Sequence, residues 1–98
     1  MVKAKVVWRE RALADTERLY GFLYEKNEEA ARKSAQVILR GSLLLKTSPR
    51  LGRPVADGTQ RRELFIPFGS SFYVLRYFLY SESTVVIVRV WHSRENRP

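Results

Sequence analysis

Three β-rich runs crowd the second half of this chain, Glu63 to Pro67, Phe72 to Tyr80 and Thr84 to Trp91, separated only by Phe68-Gly69-Ser70-Ser71 and Ser81-Glu82-Ser83. A crossover between parallel strands needs a dozen or more residues, so links this short make the runs neighbouring antiparallel strands. The product is a three-stranded meander with an apolar side that needs cover. The first half of the chain has to provide it.

Val2 to Trp8 reads as a half-buried strand, with Val2, Ala4, Val6 and Trp8 on one side and Lys3, Lys5 and Val7 on the other. From Arg9 to Lys26, the residues Leu13, Thr16, Leu19, Tyr20, Leu23 and Tyr24 recur at helical spacing and form one apolar face. Asn27 is suited to cap a second helix, with Glu28 and Glu29 at the positive end of its dipole. Its core face reads Ala31, Ala35, Ile38, Ser42 and Leu45, and the small side chains of Ala31, Ala35, Gly41 and Ser42 let it lie close to its neighbour. Thr47-Ser48-Pro49 ends it. The order strand, helix, helix, strand, strand, strand therefore predicts an α+β fold, with a two-helix hairpin packed on one face of the sheet. The first strand must join that sheet, because a lone strand is not stable. Its place in the order does not follow from the residues.

A chain of 98 residues fits one domain spanning 1–98, since a second core would need roughly 50 residues of its own. Lys and Arg outnumber Asp and Glu by 18 to 10, giving a net charge of +8. A field of that sign attracts polyanions or an acidic protein segment. Half of it lies between Lys46 and Arg62, where Lys46, Arg50, Arg53, Arg61 and Arg62 face a single Asp57 in a stretch punctuated by Pro49, Gly52, Pro54 and Gly58. With no Cys and one His, disulfide scaffolds and Cys- or His-based metal sites are not expected, nor is any cofactor. No run has a signal-peptide core or the length of a membrane span, so a cytoplasmic protein is expected.

The tail carries the most specific signal. Phe72-Tyr73-Val74-Leu75-Arg76-Tyr77 is followed by Val85-Val86-Ile87-Val88-Arg89-Val90-Trp91-His92-Ser93-Arg94-Glu95, then Arg97-Pro98. This pair of runs resembles the closing hairpin of the RelE/ParE toxin superfamily, most closely the ParE branch. The opening strand with its aromatic end, the helical hairpin and Pro49-Arg50-Leu51-Gly52-Arg53-Pro54 are also similar, so the resemblance covers essentially the whole chain. It implies the toxin of a type II toxin-antitoxin pair, forming a hetero-oligomer with a ParD-like antitoxin whose acidic, amphipathic C-terminal segment wraps and neutralises it. ParE members poison DNA gyrase, while RelE members of the same fold cut mRNA in the ribosome. Fold alone does not separate the two, and a non-toxic basic nucleic-acid-binding or interaction domain is a third possibility.

RNA cleavage requires a base, an acid and cations around the phosphorane. Arg76, His92, Arg94 and Glu95 are the candidates for that chemistry, with Arg62 and Tyr77 as further ones. Each also has a structural reading. Alternation sets His92 at the end of a row with Val86, Val88 and Val90, and Arg76 between Val74 and Phe78, stacked on rings or paired with a carboxylate. Tyr77, aligned with Tyr73, Leu75 and Leu79, suits the core. No Tyr follows His92, a departure from the nucleases of the superfamily, so the expected activity is gyrase inhibition with no catalytic residues. The expected target surface is Arg50 and Arg53 of the basic loop with Arg94, Glu95, Asn96 and Arg97 of the tail. The expected antitoxin groove is lined by Leu13, Leu19, Tyr20, Arg76 and Tyr77.

Overall fold

A computed structural model describes residues 3–98. Val2, assigned above to the first strand, lies outside the described residues. The chain runs β1 (Lys5–Trp8), α1 (Glu10–Tyr24), α2 (Glu28–Leu44), β2 (Arg53–Pro54), β3 (Arg62–Phe68), β4 (Ser71–Ser81) and β5 (Thr84–His92). The strands form one sheet in the order β1-β5-β4-β3-β2, and the two helices cover one face, so the fold is α+β as expected. The meander is antiparallel throughout, Leu64 facing Leu75 and Leu75 facing Val90. Gly69, with φ of 60°, turns β3 into β4 in a conformation that other residues rarely adopt.

Two features of the sheet were not foreseen. β1 pairs in parallel with β5, from Lys5 opposite Thr84 to Trp8 opposite Ile87. The long stretch of chain between them serves as the crossover that a parallel pair requires. The basic loop is not wholly irregular: Arg53 and Pro54 pair with Glu63 and Arg62 as a short fifth strand. An edge strand of two residues that contains Pro offers little to an incoming chain.

The helical hairpin forms for the reasons the residues suggest, with two corrections. Asn27 caps α2 through its side-chain oxygen, which accepts from the Ala30 N–H at 3.1 Å. Within α2 the buried positions are Ala31, Ser34, Ile38, Gly41 and Ser42, followed by Leu45 just beyond it. Ala35, expected on that face, is exposed. Ser34 is buried instead because its hydroxyl pairs with the Tyr73 hydroxyl at 2.9 Å. A side chain at Gly41 would overlap Ile66 of β3, so the glycine sets how closely α2 approaches the sheet. In α1 the buried positions are Ala12, Asp15 and Leu19, while Leu13 and Tyr24 are each 49% exposed. The helix is thus rotated from the face its large residues imply. The cause is Asp15, which is drawn against β5 by the contacts described below.

Between helices and sheet lies one core, built on Leu19, Ile38, Leu45, Ile66, Tyr73, Leu75, Tyr77 and Ile87. Tyr77 is fully buried, and its hydroxyl oxygen accepts from the Gly52 N–H at 2.8 Å, tying the basic loop to β4. Gly52 has no room for a side chain there, since a Cβ would stand 2.7 Å from the Tyr77 ring.

Candidate functional site

One irregularity decides which residues can meet. Arg76 pairs with Arg89 but Tyr77 with Ile87, so Val88 has no partner and β5 carries a bulge. The extra residue inverts the alternation. Val85, Ile87 and Val90 belong to the core under the helices, and His92, opposite Tyr73, follows Val90 on that side. Arg89 and Trp91 turn to the opposite face, beside Arg76 and Val74. The expected row Val86, Val88, Val90, His92 is therefore broken, because strict alternation cannot register a bulge. His92 rests edge-on against Tyr73, with ring centroids 5.5 Å apart, and its Nδ1 accepts from the Arg94 N–H at 3.1 Å.

On the opposite face Trp91 meets two guanidinium groups, Arg76 and Arg89, each 4.8 Å from a ring centroid of the indole. Two buried carboxylates hold these arginines. Glu63 on β3 accepts from Arg76 Nε at 3.0 Å and Nη2 at 2.8 Å, and from Arg97 Nε and Nη2 at 3.2 Å each. Asp15 on α1, 3% exposed, accepts from Arg89 Nε at 2.7 Å, from Arg18 Nη1 at 2.6 Å and from the Val90 N–H at 2.8 Å. That amide is available because β1 ends at Trp8 and leaves the edge of β5 unpaired beyond Ile87. Burial by itself would raise the Asp15 carboxyl, but hydrogen bonds from Arg89, Val90 and Arg18 and the Arg89 charge hold it below the ordinary carboxylate range. Glu63 is held low in the same way, burial being outweighed by Arg97 and Arg76. Burial pushes the Tyr73 and Tyr77 hydroxyls up.

The tail is fixed rather than frayed. Ser93 donates its N–H to the Phe72 carbonyl, Glu95 bonds Arg18 at 2.9 Å and accepts from the His92 N–H, and the Pro98 main-chain oxygen accepts from Arg76 Nη2 at 2.6 Å. Burial would raise the Glu95 carboxyl, yet Arg18 and the His92 amide hold it low.

The candidate residues are thus divided. Arg76 is buried on one face of the sheet, while His92 lies on the other with Arg94 and Glu95 beside it, lining an apolar hollow of about 510 Å³ with Phe22, Leu23 and Phe68. Arg62 is a clamp on the basic loop, donating to the Gly52 carbonyl at 2.7 Å and the Arg50 carbonyl at 3.2 Å. Within the target set, Arg53 and Arg97 meet over one ring, 4.7 and 5.8 Å from the centroid of Phe65. Arg50, Arg94 and Asn96 are exposed. Within the antitoxin set, Leu13 and Tyr20 line a hollow of about 290 Å³ with Trp8, Ala35 and Leu39, and Leu19 lines the 510 Å³ hollow from the core side. Arg76 and Tyr77 lie inside the domain, 7% and 0% exposed. Tyr77 shapes the domain rather than presenting a surface, its hydroxyl being committed to Gly52, while Arg76 gives Nε and Nη2 to Glu63 and lines a hollow on the other face of the sheet. The carboxylates Asp15 and Glu63 were missed altogether. Asp15 stands at helical spacing between Ala12 and Leu19, and an acidic residue on an apolar stripe is a readable sign of a buried partner.

The site thus stands on a two-helix hairpin and a five-stranded mixed sheet, with an arginine-rich face and an anchored tail. The comparisons give the chain's family. Residues 6–97 match the model of the ParE toxin of type II toxin-antitoxin systems, parDE, and the chain belongs to that family. It is 39% identical over 87 residues to Toxin RelE1 of Caulobacter vibrioides, covering 89% of this chain and 90% of the relative. It is 36% identical to Toxin RelE3 of the same organism, covering 89% and 91%. Among solved structures it is similar to a chain of the chromosomal ParDE toxin-antitoxin system from P. aeruginosa, with a TM-score of 0.76 at 17% identity over 94% of this chain and 98% of that one. It is also similar to a chain of the RelBE2 toxin-antitoxin complex from Mycobacterium tuberculosis, with a TM-score of 0.68 at 23% identity, over 93% and 99%. This protein is a type II toxin of the ParE/RelE superfamily.

Proposed function

We propose that this toxin acts by binding DNA gyrase and poisons it without chemistry of its own. The observation that supports the reading is the division of Arg76 from His92 by the thickness of the sheet, which takes the most buried arginine away from the hollow where His92, Arg94 and Glu95 meet. The candidate groups are also engaged: Arg76 by Glu63, Glu95 by Arg18, and His92 Nδ1 by the Arg94 amide. The surface offered to the target is the Arg53–Phe65–Arg97 patch, together with Arg50 of the basic loop and Arg94 and Asn96 of the tail, which are exposed. The antitoxin is a ParD-like protein whose acidic, amphipathic segment covers the apolar hollow at Leu13 and Tyr20, making a cytoplasmic hetero-oligomer. Net charge of +8 and the exposed side chains of Leu13, Phe22 and Leu39 support that pairing.

Ribosome-dependent mRNA cleavage is favoured by two observations, the hollow where His92, Arg94 and Glu95 meet and an arginine-lined hollow around Trp91. The second has cations for a phosphorane but neither the histidine nor a tyrosine in its lining. The test is direct: incubate the purified chain with gyrase and supercoiled plasmid, and separately with translating ribosomes. Gyrase-linked cleaved DNA with intact mRNA is expected. Cut mRNA with undamaged plasmid would overturn the reading.

A further inference from the structure

The hollow on the helix-free face has a volume of about 490 Å³, and its wall is mostly arginine: Arg9 beside α1, Arg11 in its first turn, Arg61 before β3, then Arg76 and Arg89 flanking Trp91. Glu10 is the one acidic side chain in the wall. Glu63 and Asp15 neutralise Arg76 and Arg89 from outside the hollow. Among the described residues Arg9, Arg11 and Arg61 pair with no acidic side chain, so three cations converge on a space where Glu10 is the one acidic side chain to oppose them. Guanidinium groups held 4.8 Å from an indole centroid are pre-organised donors, and a phosphate group, with several charged oxygens, can meet more than one of them at once.

One donor of the hollow already holds an oxygen. Arg76 Nη2 gives its 2.6 Å hydrogen bond to the main-chain oxygen of Pro98, which itself lines the hollow. That segment is latched by Arg97, which shares Glu63 with Arg76 and lies over Phe65. The Pro98 oxygen therefore takes the place that a ligand oxygen would occupy on the most buried arginine of the site.

We propose that this hollow is a phosphate-binding site and that residues 96–98 are its built-in competitor, displaced when a phosphate group enters. The phosphate can belong to a polynucleotide backbone or be free in solution, since both present the same oxygens. The inference goes beyond the target proposed above and does not depend on it, because a phosphate site can serve a gyrase poison or a ribosome-directed toxin.

The test uses the full chain and a short labelled DNA duplex read by fluorescence anisotropy, with inorganic phosphate as competitor. Arg9→Gln with Arg61→Gln, both outside the ion-pair network, is expected to weaken binding about tenfold and to reduce the log–log salt slope by about 2. Arg97→Ala is expected to tighten binding about threefold although it removes a positive charge, because it loosens the competitor. Phosphate that displaces the duplex and loses its own binding in the double variant assigns the site to free phosphate. Duplex binding that phosphate does not contest assigns it to a backbone. As a second readout, amide exchange of residues 96 and 97 must speed up on adding the ligand. Binding unchanged in the double variant, weaker binding in Arg97→Ala, or tail exchange that does not respond overturns the proposal.

Discussion

The two faces of the sheet solve the same problem with different materials. Under the helices, Tyr73, Leu75, Tyr77 and Ile87 meet Leu19, Ile38 and Leu45, and apolar contact does the work. On the other face Val74 and Trp91 are as deeply buried, 0% and 3% exposed, although no helix covers them. Arginine stems do, with Arg76 and Arg89 lying on the indole and Glu63 and Asp15 fixing their ends. A domain with two helices can roof only one side of its sheet. The second roof is cationic, so positive charge here is packing as well as a field for partners.

That contrast can be broken most sharply at Asp15. Asp15→Ala leaves Arg89 and the Val90 amide without their buried partner, and a loss of about 3–5 kcal/mol in denaturant unfolding is expected. A loss under about 1 kcal/mol would mean that the arginine roof holds without its carboxylate. The matching truncation under the helices, Ile87→Ala, should cost about 2–4 kcal/mol by cavity formation.

Acid distinguishes the faces without mutation. Asp15 and Glu63 have carboxyl groups held low in the folded protein. Their contribution is present above the unfolded carboxylate range, near pH 4, and is lost as pH falls through the depressed folded values. Stability should fall on acidification below about pH 4, and the fall should be shallower in Asp15→Asn with Glu63→Gln but unchanged in slope for Ile87→Ala. A smaller effect is expected from Tyr77→Phe, which strands the buried Gly52 amide and should cost about 1 kcal/mol by thermal unfolding. The smallest is Arg53→Ala, an exposed cation over Phe65, within about 0.5–1 kcal/mol of the parent.

Much of this was readable along the chain. The meander follows from links too short to cross over, and Asn27 announces the start of α2 as it does in the structure. Tyr77 was placed in the core by its alternation with Tyr73 and Leu75, and Arg76 was assigned an aromatic or acidic partner and has both, Trp91 and Glu63. His92 was set in the wrong row because Val88 bulges, and a bulge depends on which residue of the neighbouring strand each residue meets. The buried face of α1 was misread toward Leu13 and Tyr24 because periodicity weighs large side chains, whereas Asp15 is drawn inward by Arg89 from 74 residues away.

By itself the sequence determined element order, the helical hairpin, the antiparallel meander and the density of positive charge. These depend on neighbours in the chain, on spacing, caps and link length. Only the tertiary structure decided that β1 runs parallel to β5, that Arg76 and His92 stand on opposite faces, and that the tail lies against Arg76 and Glu63. Each of those rests on register between distant segments, where a shift of a single residue exchanges the two faces of a strand.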